Sequence, residues 1–126
     1  MTTQTQTMTT QEIANRLVEF CQKGDYEGAH RELYAEDAVS IEPYASEHFE
    51  KETKGLDAII EKGKKWSAMV KEVHGGSVGE PILANNSFGV TMFMDITMQN
   101  GERMSMTELA VYHVKDGKIV AEQFFV

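Results

Sequence analysis

The C-terminal third of the chain constrains the fold most, because it predicts consecutive strands joined by tight turns. Alternating runs of apolar and polar residues span Phe88–Gln99 and Glu102–Val114, and a third run covers Lys118–Val126. Asn100-Gly101 separates the first two runs, and Lys115-Asp116-Gly117 precedes the third. Asn-Gly and Asp-Gly accept the positive φ angles that hairpin turns need. This region therefore predicts an antiparallel meander.

Upstream of the meander, the sequence predicts helices. Thr9 and Glu12 match a capping box, which satisfies the first amides of a helix, and Gly24 ends that helix. Asp25 can cap a second, short helix, and Gly55 opens a third. The apolar stripes of the three helices are Ile13, Leu17, Phe20 and Cys21, then Tyr26, Ala29 and Leu33, then Leu56, Ile59, Ile60, Gly63, Trp66 and Val70.

The intervening segments predict a short strand over Ala38–Glu42, which Pro43 ends, and an acidic loop over Tyr44–Lys54. Glu72–Ala84 predicts one long, irregular strand, because glycines inside it are typical of bulges and bends. We expect residues 1–8 to be a disordered tail and residues 9–126 to form a single domain.

Composition excludes several partners. Twelve basic residues stand against 20 acidic ones, giving a net charge of −8, so a nucleic acid or an anionic membrane surface is not an expected partner. Cys21 is the only cysteine, so no intrachain disulfide can form. Its position on a helical apolar face predicts a buried small hydrophobic residue rather than a nucleophile. The N-terminus lacks the pattern of a signal peptide, and no apolar run approaches a membrane span. We expect a cytoplasmic protein.

Two segments carry a resemblance to a known superfamily. YAEDAVSIEP at residues 34–43 and VYHVKDGKIVAEQFFV at residues 111–126, with the order of helices and strands, resemble the nuclear transport factor 2-like superfamily, which includes SnoaL-like polyketide cyclases and ketosteroid isomerase. Over residues 10–126 the resemblance implies an α+β (cystatin-like) fold, with a cone-shaped, curved antiparallel sheet wrapped around three helices. Since the superfamily holds isomerases, dehydratases, cyclases and non-catalytic binders, activity has to be argued from the site.

The register of the first hairpin decides which side chains share a face. A two-residue turn at Asn100-Gly101 pairs Gln99 with Glu102. One face then carries Val90, Met92, Met94, Ile96, Met98, Leu109 and Val111, and the other carries Thr91, Phe93, Asp95, Thr97, Met104, Met106, Glu108, Ala110 and Tyr112. Apolar character alone favours the Met-rich face as the core. The resemblance implies the reverse, with the mixed face lining a pocket and a homodimer contact through Met92, Met94, Ile96, Leu109 and Val111.

The final hairpin allows two registers. A two-residue Asp-Gly turn pairs Lys115 with Lys118, whereas a three-residue turn pairs Val114 with Lys118. The three-residue form puts Glu122 beside Ala110 on the pocket face, and the resemblance favours it.

On these registers Asp95, Glu108 and Glu122 project toward one cavity, and Glu42 points into the same space from the end of the first strand. Burial and mutual repulsion raise the pKa of such carboxyls, so at least one should hold a proton near neutrality and act in general acid–base catalysis. Glu42 precedes Pro43, and the resemblance implies that it is a general base. His74 is a candidate proton shuttle. The alternative is that these acids are solvated or paired on the surface.

The resemblance also implies that this chain lacks two catalytic groups of ketosteroid isomerase. Leu17 and Ala110 stand where ketosteroid isomerase carries its oxyanion-stabilising donors, which disfavours that particular reaction. The ligand-pocket candidates are Leu17, Trp66, Phe93, Met106, Ala110, Tyr112 and Phe124. We expect no metal or cofactor, since no ligand spacing such as HxxxH is present.

The sequence thus predicts a SnoaL-like domain that binds a small apolar organic molecule. If catalytic, it would be an isomerase, a cyclase or a hydratase-type lyase that transfers protons through carboxyl groups. The alternative is a non-catalytic ligand-binding or dimerisation domain.

Overall fold

The computed structural model describes residues 7–126, which form three helices and seven strands. In chain order these are α1 (Thr10–Lys23), α2 (Tyr26–Leu33), β1 (Tyr34–Ile41), β2 (Glu52–Lys54), α3 (Leu56–Met69), β3 (Val70–Val78), β4 (Ile82–Leu83), β5 (Ser87–Met98), β6 (Arg103–Lys115) and β7 (Lys118–Phe125). Within the predicted disordered tail, residues 1–6 lie outside the described residues, and Met8 packs against the core.

The predicted helix starts are confirmed. Thr9 accepts a hydrogen bond from the Glu12 amide while the Glu12 carboxylate accepts one from the Thr9 amide, which completes the capping box of α1. The Asp25 side chain accepts from the Gly28 amide at the start of α2. Short local patterns determine these ends, so the sequence was sufficient to locate them.

Three strand predictions need correction. β1 begins at Tyr34, earlier than the predicted Ala38. Glu52–Lys54, predicted as part of a loop, pairs with β1 as β2. The predicted long strand Glu72–Ala84 is divided into β3 and β4, and β3 carries bulges between Val70 and Glu72 and between Val73 and Gly75. Each difference arises from pairing with a distant strand, which local patterns do not encode.

The strands form one curled, open sheet in the order β2-β1-β7-β6-β5-β3, with β4 paired to β5. The predicted α+β fold is confirmed, but the sheet is mixed rather than antiparallel, because β1 and β7 pair in parallel. The buried apolar residues form one cluster between the helices and the concave face. Its largest members include Ile13, Leu33, Tyr34, Ile59, Phe88, Tyr112 and Ile119.

The first hairpin turns over three residues, Gln99–Gly101, rather than two. The Gly101 amide donates to the Met98 carbonyl at 2.9 Å, and the Met98 amide donates to the Glu102 carbonyl at 2.8 Å. Gly101 has a φ of 89°. This is the turn in which a left-handed glycine forms the bulge, so Met98 rather than Gln99 lies opposite Glu102. The predicted register is therefore wrong by one residue.

This one-residue shift changes which side chains share a face. Val90 pairs with Ala110, Met92 with Glu108 and Met94 with Met106. The Met-rich side of β5 therefore lines the concave face together with Met104, Met106, Glu108, Ala110 and Tyr112. Leu109 and Val111 lie opposite Thr91 and Gly89 on the outer face. The five residues predicted as a homodimer contact are thus divided between two faces, and that predicted surface is wrong.

The final hairpin takes the two-residue alternative. Lys115 pairs with Lys118, and both Asp116 and Gly117 have positive φ. A bulge between the His113 and Val114 pairs then shifts the strand pairing by one residue. Glu122 therefore lies opposite Tyr112 on the concave face. The predicted face of Glu122 is confirmed, although the favoured three-residue turn is wrong.

We expect Gly101→Ala to destabilise the fold by about 1 kcal/mol, because an L side chain is strained at this left-handed φ. Gly75→Ala is the matched control: its added Cβ meets nothing within 4 Å. Urea denaturation would measure both free energies of unfolding. Equal values for the two variants would contradict the left-handed conformation of Gly101.

Candidate functional site

A carboxylate buried on the concave face forms the innermost part of the site. Glu122 is only 3% exposed. The Tyr34 hydroxyl donates to its Oε1, and the Ser40 hydroxyl donates to its Oε2 at 2.6 Å. Burial raises the pKa of Glu122, whereas the hydrogen bonds from Ser40 and Tyr34 and the charge of Lys62 act in the opposite direction. This carboxyl is therefore tied to both ends of β1.

Lys62 connects this buried group to the rest of the site. It projects from α3, its side chain is 15% exposed, and its Nζ donates to the Ser40 Oγ at 2.6 Å. The same Nζ lies 3.6 Å from Glu42 Oε1 and 5.8 Å from the centre of the Phe124 ring. Lys62, Ser40 and Glu122 thus form a continuous chain of hydrogen bonds, and Glu42 stands beside it.

Glu108 completes the group from β6. Burial, followed by the charges of Glu42 and Glu122, raises the pKa of Glu108 from 4.5 to about 7, and the charge of Lys62 opposes the shift. The sequence predicted that at least one carboxyl holds a proton near neutral pH, and the pKa of Glu108 agrees with that prediction. A carboxyl with a pKa close to the working pH can both take up and release a proton.

Apolar side chains surround these polar groups. Ala110 and Tyr112 are buried, and Phe124 is partly buried against the core. Phe124 lies opposite Ala110, two pairs along the ladder from Glu122 and Tyr112. The thioethers on the concave face, all partly buried, are Met92, Met94, Met104 and Met106. The predicted pocket positions Met106, Ala110, Tyr112 and Phe124 do share this face.

A cleft of about 330 Å³ opens between α3 and residues 48–53. Its walls include Phe49 and Thr53 on one side and Ala58, Lys62 and Lys65 on the other. Lys65 donates to the His48 carbonyl, and its Nζ lies 5.0 Å from the centre of the Phe49 ring. Lys62 is therefore shared by the cleft and by the buried hydrogen-bond chain.

Asp95 does not join the other acids, so the predicted convergence of four carboxyls is wrong. It lies opposite Ser105 on the outer face and forms a two-pronged ion pair with Arg103, at 3.1 and 2.9 Å. The hydrogen bond from Arg103 lowers the pKa of Asp95. The one-residue register shift places Asp95 and Glu108 on opposite faces, because successive side chains of a strand point to opposite faces of the sheet.

Two further predicted positions also lie away from the concave cluster. His74 Nε2 is 2.6 Å from the Thr97 hydroxyl, on the outer side with Asp95. Phe93 lies opposite Thr107 on the outer face and is 41% exposed. Neither residue lines the predicted pocket, and the register explains Phe93 as it explains Asp95.

Leu17 and Trp66 occupy different surroundings. Leu17 is buried in the main core cluster. Trp66 is partly buried on α3 and packs against Phe49, with 6.4 Å between the ring centres. Trp66 therefore stands behind the cleft rather than on the concave face.

Sequence reasoning missed Tyr34, Ser40 and Lys62. Lys62 lies three residues after Ile59 and four before Trp66, which places it on the apolar stripe of α3. Ser40 lies two residues after the buried Ala38 on β1, so both side chains point inward. A lysine within an apolar helix stripe and a serine at an inward strand position were the available signals of a buried polar chain.

Comparison with known proteins identifies the family. The family model of the SnoaL-like domain matches residues 8–126. The chain belongs to the SnoaL-like domain family. A search of curated proteins found no significant match.

Solved structures share the fold of this SnoaL-like domain. A Mesorhizobium loti protein, described as a candidate SnoaL-like polyketide cyclase, is 37% identical with a TM-score of 0.85, covering 94% of this chain and 100% of its own. A cystatin-like protein of unknown function from Xanthomonas campestris is 17% identical with a TM-score of 0.78, covering 94% and 90%. A nuclear transport factor 2-like protein from Burkholderia pseudomallei is 15% identical with a TM-score of 0.75, covering 94% and 91%.

Residues 7–126 contain no group of three or more histidine, cysteine or acidic side chains arranged to hold a metal ion. No helix in this part of the SnoaL-like domain combines the length and apolar character of a membrane span.

Glu108 should make the stability of the domain depend on pH. Its pKa is higher in the folded than in the unfolded state, so its protonated form favours folding. This contribution is complete below about pH 4.5 and is lost as pH rises toward 7. With the group partly open to water, we expect Glu108→Gln to become more stable relative to wild type by about 2 kcal/mol between pH 4.5 and 8.

Urea denaturation across this pH range would measure the effect. Glu80→Gln removes an exposed acid that is not part of the cluster and serves as control. If the wild-type and Glu108→Gln curves stayed parallel, Glu108 would titrate normally.

We expect Tyr34→Phe to lower the free energy of unfolding by about 2 kcal/mol, because it removes a hydrogen bond to the buried Glu122 carboxyl. Tyr44→Phe removes the hydroxyl of a tyrosine that is 66% exposed, and it should change stability little. Thermal and urea unfolding would compare the two variants. Similar small losses in both would argue against the Tyr34–Glu122 bond.

Proposed function

We propose that this SnoaL-like domain binds a small, largely apolar carbonyl compound on its concave face and transfers a proton on it. The reaction would be an isomerisation, a cyclisation or a hydration. One observation carries the proposal: Glu42, Glu108 and the ammonium of Lys62 are gathered against an apolar wall of methionine and aromatic side chains. Such a wall receives the apolar body of a ligand, and the few polar groups orient its reactive end.

Glu108 is the proposed acid–base group. The pKa of Glu108, about 7, gives both protonation states near neutral pH, which is the condition for efficient proton transfer. The sequence marked Glu42 as the base, but Glu42 lies beside the Lys62 ammonium. We therefore propose that Glu42 holds Lys62 in place and that its charge helps to raise the pKa of Glu108.

Glu122 has a positioning role in this proposal. Both of its oxygens already accept hydrogen bonds, from Tyr34 and Ser40. Its proposed role is therefore to orient these two hydroxyl groups. Its charge acts on Glu108 through the low-dielectric interior.

A non-catalytic ligand-binding domain is the second candidate. It is favoured by the internal satisfaction of Glu122 and by the aliphatic side chains at Leu17 and Ala110, which offer no hydrogen bond to a developing negative charge. Such a domain would bind the same apolar carbonyl compounds and return them unchanged.

A cytoplasmic location and a homodimer stay predictions. A dimer formed through the sheet would use its outer face, where Phe93, Leu109 and Phe125 are each more than two-fifths exposed. These residues replace the predicted surface, which the register divides between two faces.

Hydrogen–deuterium exchange at carbon would test the proposed reaction. Planar ketones, enols, phenols and short polyketide mimics would first be screened by thermal shift with the wild type. Each carbonyl ligand that raises the melting temperature would then be incubated in D2O, and NMR would follow exchange of its α protons. We expect catalysed exchange in the wild type and a loss of about 100-fold or more in Glu108→Gln.

Glu80→Gln is the control for this experiment, and it should exchange at the wild-type rate. Thermal shifts without any catalysed exchange would favour the non-catalytic binder. Equal exchange in wild type and Glu108→Gln would assign the proton transfer to another group.

A further inference from the structure

We propose that Lys62 binds the carbonyl oxygen of the ligand and stabilises the negative charge that forms on it. The ligand class is then narrowed to compounds whose oxygen becomes an enolate or phenolate. This inference rests on the proposed function and adds to it the group that replaces the missing oxyanion donors.

The hydrogen-bonding capacity of Lys62 leaves room for a ligand. An ammonium has three N–H donors and no acceptor. One donates to the Ser40 hydroxyl at 2.6 Å, and the Glu42 oxygen lies at a looser 3.6 Å. At least one N–H is thus available to a ligand oxygen. Such an oxygen would lie above the Phe124 ring, whose centre is 5.8 Å from Nζ.

The Ser40 contact also fixes where the ammonium stands. Because the Ser40 hydroxyl donates to Glu122, its oxygen lone pairs face Lys62. The buried carboxyl therefore orients the serine, and the serine holds the ammonium. Preorganised donors of this kind stabilise developing charge without rearranging during the reaction.

The cleft beside α3 gives the ligand a way to Lys62. Lys62 belongs to the cleft wall as well as to the buried chain, so the cleft and the concave cluster meet at its side chain. Phe49 and Thr53 form the opposite wall, and the aromatic ring suits a flat, apolar ligand. Lys65 fastens the His48 carbonyl across the cleft.

The aliphatic side chains at two core positions support this assignment. Leu17 and Ala110 are both buried and carry no donor. A proton removed by Glu108 would leave a negative charge that those positions cannot stabilise. Among residues 7–126, Lys62 is the cation that forms a salt bridge with a carboxyl of this cluster, that of Glu42.

The electrons balance as follows in the proposed step. The Glu108 carboxylate takes a proton from the carbon next to the carbonyl. The C–H electron pair forms a C=C bond, and the C=O π electrons move to the oxygen, which becomes an enolate held by the Lys62 ammonium. When the carbonyl compound is β,γ-unsaturated, the enolate is conjugated with the second C=C bond as a dienolate. Return of the proton from Glu108 to the γ carbon shifts the double bond into conjugation with the re-formed C=O, completes an isomerisation and restores both groups.

Binding of ionised phenols would test Lys62 separately from catalysis. A nitrophenol is a suitable probe, because its ionised form absorbs at longer wavelength and reports the bound state directly. We expect the wild type to bind the phenolate and Lys62→Met to bind it at least about tenfold more weakly, as the loss of a charge-assisted hydrogen bond predicts. Lys62→Arg should restore part of the affinity.

Lys64→Met is the matched control, since Lys64 is an exposed lysine of α3 that does not line the cleft. It should bind the phenolate within about twofold of the wild type, as expected for a charge that does not contact the oxygen. Circular dichroism and urea unfolding would establish that each variant is folded. Equal phenolate binding by wild type and folded Lys62→Met would overturn the proposal.

Blocking the cleft gives a second readout. Ala58 is exposed on the cleft wall, and Ala68 is exposed elsewhere on α3. Ala58→Phe should abolish phenolate binding, whereas Ala68→Phe should leave it unchanged. Unchanged binding in Ala58→Phe would overturn the proposed access through the cleft.

The outcomes separate this inference from the proposed function. Lys62-dependent phenolate binding without any carbon exchange would support the oxygen-binding role and overturn the proton-transfer function. Carbon exchange that depends on Glu108 but is unchanged in Lys62→Met would support the function and overturn the role of Lys62.

Discussion

A buried carboxylate requires hydrogen bonds, and Glu122 obtains them from both ends of one strand. Tyr34 begins β1 and Ser40 lies near its end, yet both hydroxyls reach the same carboxyl. This is possible because the β1–β7 pairing shifts register between Tyr34 and Val39, which bends β1 around Glu122. β1 in turn carries β2, so this polar contact secures the parallel edge of the sheet.

The same contact determines the electrostatics of the face. Ser40 donates a hydrogen bond to Glu122 and accepts one from Lys62, and Lys62 lies beside Glu42. Burial and the charges of Glu42 and Glu122 raise the pKa of Glu108, and the charge of Lys62 opposes this shift. A fold selected for stability alone would replace such a cluster by apolar side chains at little or no cost. Retaining three acids and a lysine on one concave face therefore favours a functional explanation.

The sequence predicted features that depend on short patterns and failed where the outcome depended on a single residue of register. The capping box at Thr9 and Glu12 and the cap at Asp25 are local, and the structure confirms them. Asn100-Gly101 is different, because the same dipeptide suits a two-residue turn and a three-residue turn with a glycine bulge. The second form occurs, and it moves Asp95 and Phe93 to the outer face while Glu108 stays inside. The parallel pairing of β1 with β7 was equally hidden, since it joins segments from opposite ends of the domain.

The position of Lys62 explains how the site can differ from that of the isomerase it resembles. The two positions that resemble the isomerase donors, Leu17 and Ala110, lie within the aliphatic core. Polar contacts for a ligand are instead concentrated on α3 and on the neighbouring strands β1 and β7, around Lys62. A ligand in this SnoaL-like domain would therefore place its oxygen toward α3 and its apolar body along the methionine wall. The flexible thioethers of that wall adapt to different shapes, so ligand orientation would depend on the lysine and its partners more than on the fit of the wall.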